Sequence, residues 1–146
     1  MLFRSPIVVT STDADGNSVE TKFNIKVVDT TAPTVKEISD QTKEVNTAID
    51  NIEIRATDNS GQAVTNTVRG LPEGVTFDPR TNTISGVATK VGTYPIVVIS
   101  TDAEGNSVET KFIIKVVDTT APTVKEISDQ TKEVNTKIDK IGRAHV

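Results

Sequence analysis

The chain repeats itself at a fixed spacing of 89 residues. Pro6–Asp50 return as Pro95–Asp139, and 41 of these 45 positions are identical. The four differences are Thr10/Ile99, Asp15/Glu104, Asn24/Ile113 and Ala48/Lys137. A period near 90 residues is too long for a solenoid unit and suits one small β-sandwich domain. The chain is therefore expected to be a segment of a tandem array of near-identical modules.

The repeat divides the chain into five expected segments. Residues 31–118 form one complete module, residues 6–30 the C-terminal hairpin of a truncated module, and residues 119–139 the N-terminal strand of another. Residues 1–5 and 140–146 break the repeat, and their codons fit the two complementary strands of a sequencing adapter. We interpret both ends as adapter-derived scars and exclude them from fold reasoning. His145, the only histidine, lies in the second scar.

The complete module carries an all-β pattern. Ile52, Ile54 and Ala56 alternate with polar residues, which is the period-2 signature of a half-buried strand. Ser107–Val117 repeats this alternation, and Tyr94–Thr101 is nearly all apolar or β-branched. Other short strands are expected at Val35–Ile38, Ala63–Arg69, Val75–Phe77 and Thr83–Ser85. Seven short strands in about 88 residues predict an Ig/cadherin-like Greek-key β-sandwich.

Composition excludes several classes of function. Sixteen Lys and Arg stand against 20 Asp and Glu, a formal net charge of −4, with no basic run. This balance argues against partners such as nucleic acid or anionic membrane. No apolar stretch reaches 18 residues, so no membrane insertion is expected. The chain has no Cys, which excludes disulfides and thiolate metal sites.

Several segments resemble known modules. Gly70–Gly86 closely resembles the core motif of bacterial putative-Ig domains, G-L-P-x-G-x-x-F-D-x-x-T-G-x-I-x-G, with Asn82 in place of one glycine. Other segments resemble cadherin repeats, and they are Glu44–Asn46, Ala56–Gly61, Thr101–Gly105 and the linker Val28–Pro33. Two cadherin features differ, since Ser60 replaces an aspartate and Val87–Lys90 replaces an L-D-R-E segment.

This resemblance is to the cadherin-like, putative-Ig tandem repeats of bacterial cell-wall-anchored surface proteins. It implies an extracellular location on the bacterial cell wall and a stem of modules that projects a ligand-binding tip. The partners it implies are neighbouring modules of the same chain and, through a distant tip, a host-cell surface.

One group of acidic residues is a candidate metal site. In the expected sandwich, the loops after two strands place Asp58 and Asp102 at the pole where the linker brings in Asp29. Glu104 and Asn106 lie nearby, and clustered oxygen ligands on flexible loops suit Ca²⁺. The resemblance to cadherins adds Glu44 and Asp118 as ligands at the next junction downstream. The alternative is that these aspartates only form Asx-turns.

Two other functions are weighed. An enzyme is not expected, because outside the scar the chain has no His, no Cys and no Ser with a plausible base. A glycan-binding or protein-binding adhesion module is the main alternative, with Tyr94, Arg69 and Arg80 as candidate surface residues. Near-identity between copies favours a stem, because a spacer can be duplicated freely.

Overall fold

The structure, a computed structural model, describes residues 3–141, and every regular element in that range is a β-strand. No helix there could cross a membrane. The strands are β1 Phe3–Thr12, β2 Ser18–Val27, β3 Thr34–Val35, β4 Gln41–Glu44, β5 Ile52–Glu53, β6 Ala56–Thr57, β7 Thr65–Arg69, β8 Val75–Asp78, β9 Thr83–Gly86, β10 Gly92–Thr101 and β11 Ser107–Val117. The predicted all-β class is confirmed.

The complete module is a sandwich of two layers. One layer is a four-stranded sheet in the order β4-β11-β10-β7. The other holds the three-stranded sheet β5-β9-β8 and the short pair β3-β6. β10 and β11 are antiparallel and pair from Gly92–Val116 to Thr101–Ser107. β4 joins the far side of β11 in parallel, with Gln41 opposite Ile114 and Glu44 opposite Val117.

Alternating residues of β10 and β11 supply one half of the core. Ile96, Val98, Phe112, Ile114 and Val116 are all buried, with at most 4% of each exposed. The opposite layer and its connections contribute Ile49, Ile52, Ile54, Val75, Ile84 and Ala88. Because strand side chains alternate between faces, the polar residues between the buried ones point to solvent.

Three parts of the strand pattern differ from the sequence expectation. The strand expected from Ile52 is interrupted, because β5 pairs with β9 whereas β6 pairs with β3 in the other half of its layer. Ile52 and Ile54 are nevertheless both buried. β4 was not expected, since Gln41–Glu44 is entirely polar and has no alternation. β3 is shorter than the expected strand Val35–Ile38 and ends at Val35.

Three glycines explain the putative-Ig motif. Gly70, Gly74 and Gly86 all have positive φ, at 88°, 89° and 132°. A Cβ at Gly74 would lie 1.9 Å from the carbonyl oxygen of Val87, and one at Gly86 would lie 2.2 Å from that of Gly74. The backbone before β8 therefore packs directly against the backbone at the end of β9, and only glycine fits at these two positions.

A buried polar network accounts for Asn82. The Ser100 hydroxyl donates to Asn66 Oδ1 at 2.6 Å, and Asn66 Nδ2 donates to Asn82 Oδ1 at 3.1 Å. Asn82 has φ of 52°, in the left-handed region that asparagine tolerates. Asparagine at this motif position therefore keeps the turn. Its side chain also accepts a hydrogen bond from the buried Asn66 amide, and glycine would not supply this acceptor.

The flanking segments keep local structure without a sandwich. β1 and β2 form a hairpin with the register of β10 and β11, from Phe3–Val27 to Thr12–Ser18. It includes Phe3, Arg4 and Ser5 of the expected scar, because backbone pairing does not depend on side-chain identity. No strand is assigned to residues 118–141, so the strand expected in 119–139 is not formed in the described chain. In the complete module, the equivalent β3 exists only where β6 pairs with it.

The repeat provides a matched pair of core substitutions. Phe112 is 4% exposed, whereas its copy Phe23 is 48% exposed. Phe112→Ala should lower the free energy of unfolding by about 3–5 kcal/mol, through lost burial and a cavity. Phe23→Ala should leave the melting temperature of the module nearly unchanged. Thermal and urea denaturation measure both, and a large loss from Phe23→Ala would contradict the module boundary at residue 31.

Gly74 of the motif and Gly61 of the Asp58 loop provide a second pair of substitutions. Gly61→Ala should cost about 1–2 kcal/mol of stability, because φ of 73° is strained for alanine although the site is open. Gly74→Ala has the same strain and must also displace the Val87 carbonyl, so its cost should be larger by on the order of 1–3 kcal/mol. Equal melting temperatures for the two variants would contradict this explanation.

Candidate metal centre

Three carboxylates meet where the linker enters the complete module. Asp29 follows β2 in the linker, Asp58 directly follows β6, and Asp102 directly follows β10. Each offers one oxygen, and these three oxygens all lie within 4.8 Å of one another. β6 and β10 end at the same pole of the sandwich, and this shared pole brings together residues up to 73 positions apart in sequence.

Each aspartate is held by a turn of its own. Asp29 Oδ1 accepts the N–H of Thr31 at 3.0 Å, and Asp58 Oδ2 accepts that of Ser60 at 3.0 Å. Asp102 Oδ1 accepts the N–H of Glu104 at 2.9 Å. The Asx-turns expected under the alternative interpretation are therefore present. They fix the carboxylates in position, and they occupy only one oxygen of Asp29 and of Asp58.

The remaining oxygens distinguish the three aspartates. Asp29 Oδ2 and Asp58 Oδ1 are buried and accept no hydrogen bond within residues 3–141. Both oxygens of Asp102 are occupied, because Asn106 donates its N–H to Oδ1 at 2.9 Å and its Nδ2 to Oδ2 at 2.8 Å. Two buried anionic oxygens therefore lie beside a third carboxylate without a compensating donor, which is costly unless a cation is bound.

Ser60 donates two hydrogen bonds to Asp58. Its hydroxyl donates to Asp58 Oδ2 at 2.5 Å, and this bond, followed by that from its own N–H, lowers the pKa of the Asp58 carboxyl. Ser60 replaces an aspartate in the cadherin-like pattern. Because serine is uncharged, the loop has one negative charge fewer than in that pattern.

Glu104 and Asn106 lie at the same pole as the three aspartates. Glu104 lines a cavity of about 270 Å³ together with Asp29, Asn59 and Ser60. Asn106 uses its amide nitrogen, which also donates to the carbonyl oxygen of Asp29 at 3.1 Å. Asn59 was not singled out from the sequence, although its Nδ2 donates to Asp29 Oδ1 at 3.2 Å. No sequence signal distinguishes it from other loop asparagines.

The hairpin contains a copy of the Asp102 loop. Asp13 Oδ1 accepts the N–H groups of Asp15 and Asn17, each at 2.9 Å, and Asn17 Nδ2 donates to Asp13 Oδ2 at 2.9 Å. The hydrogen bond from the Asn17 amide is the largest cause lowering the pKa of Asp13. The same loop geometry forms here without Asp29 and Asp58 beside it. The loop is therefore preorganised by its own sequence.

Glu44 and Asp118 lie at the opposite pole. Glu44 ends β4, and its carboxylate accepts hydrogen bonds from the N–H and the hydroxyl of Thr119. Asp118 Oδ1 accepts the N–H of Thr120 at 3.0 Å, which is the turn formed by Asp29. Glu44 therefore contacts the linker that leaves the module, and Asp118 lies within that linker.

The candidate recognition residues lie on separate elements. Arg69 ends β7 and is 3.8 Å from Glu109, whereas Arg80 lies in the turn between β8 and β9. Tyr94 packs against the core, and its hydroxyl donates to the carbonyl oxygen of Lys90 at 2.9 Å. The side chains of Arg69 and Arg80 are exposed, and their ion pairs with Glu109 and Asp78 are long.

The chain is similar to known proteins by sequence. Residues 32–117 match the family described as Putative Ig domain. The serine-rich adhesin for platelets of Staphylococcus aureus strain MRSA252 is 55% identical over 109 residues, which is 75% of this chain and 8% of the adhesin. Its counterpart in strain MW2 is also 55% identical, over 5% of its length. The chain therefore spans less than a tenth of these relatives.

Solved structures show the same fold. Protocadherin gamma B7 extracellular cadherin domains 1–4 match 89% of this chain with a TM-score of 0.50 and 19% identity, over 36% of that protein. A putative alpha-galactosidase from Bacteroides fragilis matches 67% of this chain with the same TM-score and 22% identity, over 21% of that chain. At these identities the likeness concerns fold alone.

The family match, the adhesin relatives and the cadherin-like sandwich agree with one another. The chain belongs to the Putative Ig domain family, as an Ig/cadherin-like repeat module related to those of a staphylococcal surface adhesin.

Proposed function

We propose that this chain is a stem segment of a bacterial surface adhesin, with calcium bound where one module meets the next. The observation that carries the proposal is the convergence of Asp29, Asp58 and Asp102 at the linker, with buried unpartnered oxygens on two of them. Ligands from a linker and a module place a cation where it would restrict motion between modules.

The donor set suits calcium. Asp29, Asp58 and Asp102 supply carboxylate oxygens, and Glu104 and Asn106 lie beside them on the loop after β10. Calcium takes six to eight oxygen ligands in flexible geometry, whereas magnesium requires a tighter octahedron. Bound calcium would neutralise charge that the three aspartates otherwise concentrate within a few ångströms. Extracellular modules of this type bind calcium at about 10⁻⁴–10⁻³ M.

Glu44 and Asp118 take the corresponding role downstream. Glu44 accepts hydrogen bonds from Thr119, and a carboxylate has about four acceptor positions, so this contact leaves room for a cation. The copies of Asp58 and Asp102 that would complete this junction are not among residues 119–139. Projection from the cell wall and a ligand-binding tip elsewhere in a longer protein complete the proposed role.

The near-identity of the copies favours the stem. Only four of 45 positions differ, and the candidate recognition residues Tyr94, Arg69 and Arg80 lie on separate elements. Neither the adhesin relatives nor the Ig-domain family points to catalysis.

The calcium proposal is tested by titration. Calcium at ten times its dissociation constant should raise the free energy of unfolding by about 1.4 kcal/mol through mass action. Asp58→Asn and Asp102→Asn should each remove most of this gain. Asp78→Asn is the matched control, because Asp78 forms the same turn with the N–H of Arg80, at 2.9 Å, on another loop.

Calorimetry should be run on this chain and on a chain with two complete modules. The second should bind calcium more tightly, because its internal junction has ligands from both modules. If neither releases or absorbs heat on addition of millimolar calcium, the calcium proposal is wrong and the module is a metal-free spacer.

The stem proposal predicts an absence of specific adhesion. Beads coated with the two-module chain should bind host cells and glycans no better than beads coated with its Phe112→Ala variant, whose sandwich is disrupted. Saturable binding that needs the folded module would support the alternative, an adhesion module, and would be followed by Arg69→Ala and Arg80→Ala.

A further inference from the structure

Side chains of the complete module hold the linkers at both of its ends. At the entry, Asn106 Nδ2 donates to the carbonyl oxygen of Asp29 at 3.1 Å. At the exit, the Glu44 carboxylate accepts the N–H of Thr119, with Oε1 at 3.1 Å and Oε2 at 3.2 Å, and its Oε1 also accepts the Thr119 hydroxyl. The partners are 77 and 75 residues apart, so each contact is tertiary and joins the sandwich to a linker.

The repeat maps these two contacts onto one peptide group. The spacing of 89 residues makes Asp118 the copy of Asp29 and Thr119 the copy of Thr30. Asn106 contacts the carbonyl of the Asp29–Thr30 peptide, and Glu44 contacts the N–H of the Asp118–Thr119 peptide. In a trans peptide the carbonyl and the N–H point in opposite directions, and no cis peptide occurs in residues 3–141. The two contacts can therefore be made at once from opposite sides.

We propose that in tandem modules each linker is held at this single peptide group by two neighbouring modules, without a metal. The glutamate of the preceding module binds the N–H and the adjacent threonine hydroxyl, and the asparagine of the following module binds the carbonyl. We call this pair of contacts the linker clasp. It rests on the proposed stem function, and it fixes the orientation of the peptide plane through which the two modules are joined.

The asparagine half of the clasp is preorganised. Asp102 accepts both the N–H of Asn106, at 2.9 Å, and its Nδ2, at 2.8 Å, so the amide is oriented and one amide hydrogen remains for the linker. Asn17 is bound to Asp13 in the same way in the hairpin, where it donates to no linker carbonyl. The orientation therefore precedes the contact with the linker, which lowers the entropy cost of making it.

The glutamate half is positioned by strand pairing. Glu44 lies opposite Val117 at the end of the parallel β4–β11 ladder, and Val45 adds a bond from its N–H to the Val117 carbonyl at 2.8 Å. Val117 is two residues before Thr119, so this pairing brings the Glu44 carboxylate close to the Thr119 amide. Hydrogen bonds to a carboxylate are stronger than those between neutral groups. The copy Glu133, with the same neighbours from Gln130 to Thr136, lies in a segment without a strand.

The clasp is tested in this chain with a chelator present, so that no metal contributes. Amide ¹⁵N relaxation and hydrogen exchange are measured for the Thr30 and Thr119 amides. In the unaltered chain both should have order parameters near the rigid value of about 0.85. Glu44→Ala should lower the Thr119 order parameter towards about 0.6 and speed exchange of its amide about tenfold. Asn106→Ala should lower the order parameter of Thr30 and leave that of Thr119 unchanged.

The repeat supplies matched controls for both halves. Glu133 has the same neighbours as Glu44 from Gln130 to Thr136, and the loop of Asn17 differs from that of Asn106 only by Asp15 in place of Glu104. Neither residue contacts a linker, so Glu133→Ala and Asn17→Ala should not alter Thr30 or Thr119. Exchange at Ile96 and Ile114 in the core reports whether each variant remains folded. Thr119→Val keeps the N–H and removes the hydroxyl. It should lower the order parameter of the amide at position 119 less than Glu44→Ala does.

The outcomes separate the clasp from the calcium site. An unchanged Thr119 amide in folded Glu44→Ala, or an unchanged Thr30 amide in folded Asn106→Ala, would overturn the clasp even if calcium binds. Loss of order at both linkers in these variants, in chelator, would support the clasp even if calorimetry detects no calcium.

Discussion

The structure depends on the second layer of the sandwich. β1–β2 and β10–β11 have nearly the same sequence and the same register, yet only β10–β11 has a sheet opposite its apolar face. Ile114 is completely buried, whereas its copy Ile25 is 48% exposed. Pairing of the hairpin is therefore encoded locally, while the core also requires the strands of the opposite layer, which lie between Thr34 and Gly86. Every loop at the entry pole takes its position from this closure.

The entry pole combines local and tertiary constraints. Each aspartate is oriented by a turn within two residues of itself, and the sandwich then brings the three turns together. Local turns cost little to form and leave oxygens directed towards each other. If the proposed calcium binds here, the free energy of binding does not have to order three loops. For Asp29 and Asp58, the turn interpretation and the calcium proposal concern different oxygens of the same carboxylate.

Much of the fold could be predicted from two sequence patterns, the alternation of apolar and polar residues and the 89-residue repeat. Ser107–Val117 shows the period of a half-buried strand, and the strand has these bounds in the structure. The convergence of Asp29, Asp58 and Asp102 followed from which strands run towards one pole. β4 could not be predicted, because its four polar residues are selected by parallel pairing with β11 and not by burial. The linker contacts of Glu44 and Asn106 were missed for a related reason, since each depends on a partner more than 70 residues away.

The parallel pairing of β4 with β11 has a consequence for a chain under tension. Load enters a module in a row near residue 31 and leaves it near residue 118, so it reaches β4 from its N-terminal side and β11 from its C-terminal side. Because the two strands are parallel, pulling slides them past each other along their length. The bonds from Gln41–Ile114 to Glu44–Val117, and the added bond of Val45, lie across that direction. If modules of this kind bear tension as a stem, these bonds would be loaded together in shear, so the short polar strand would resist the pull.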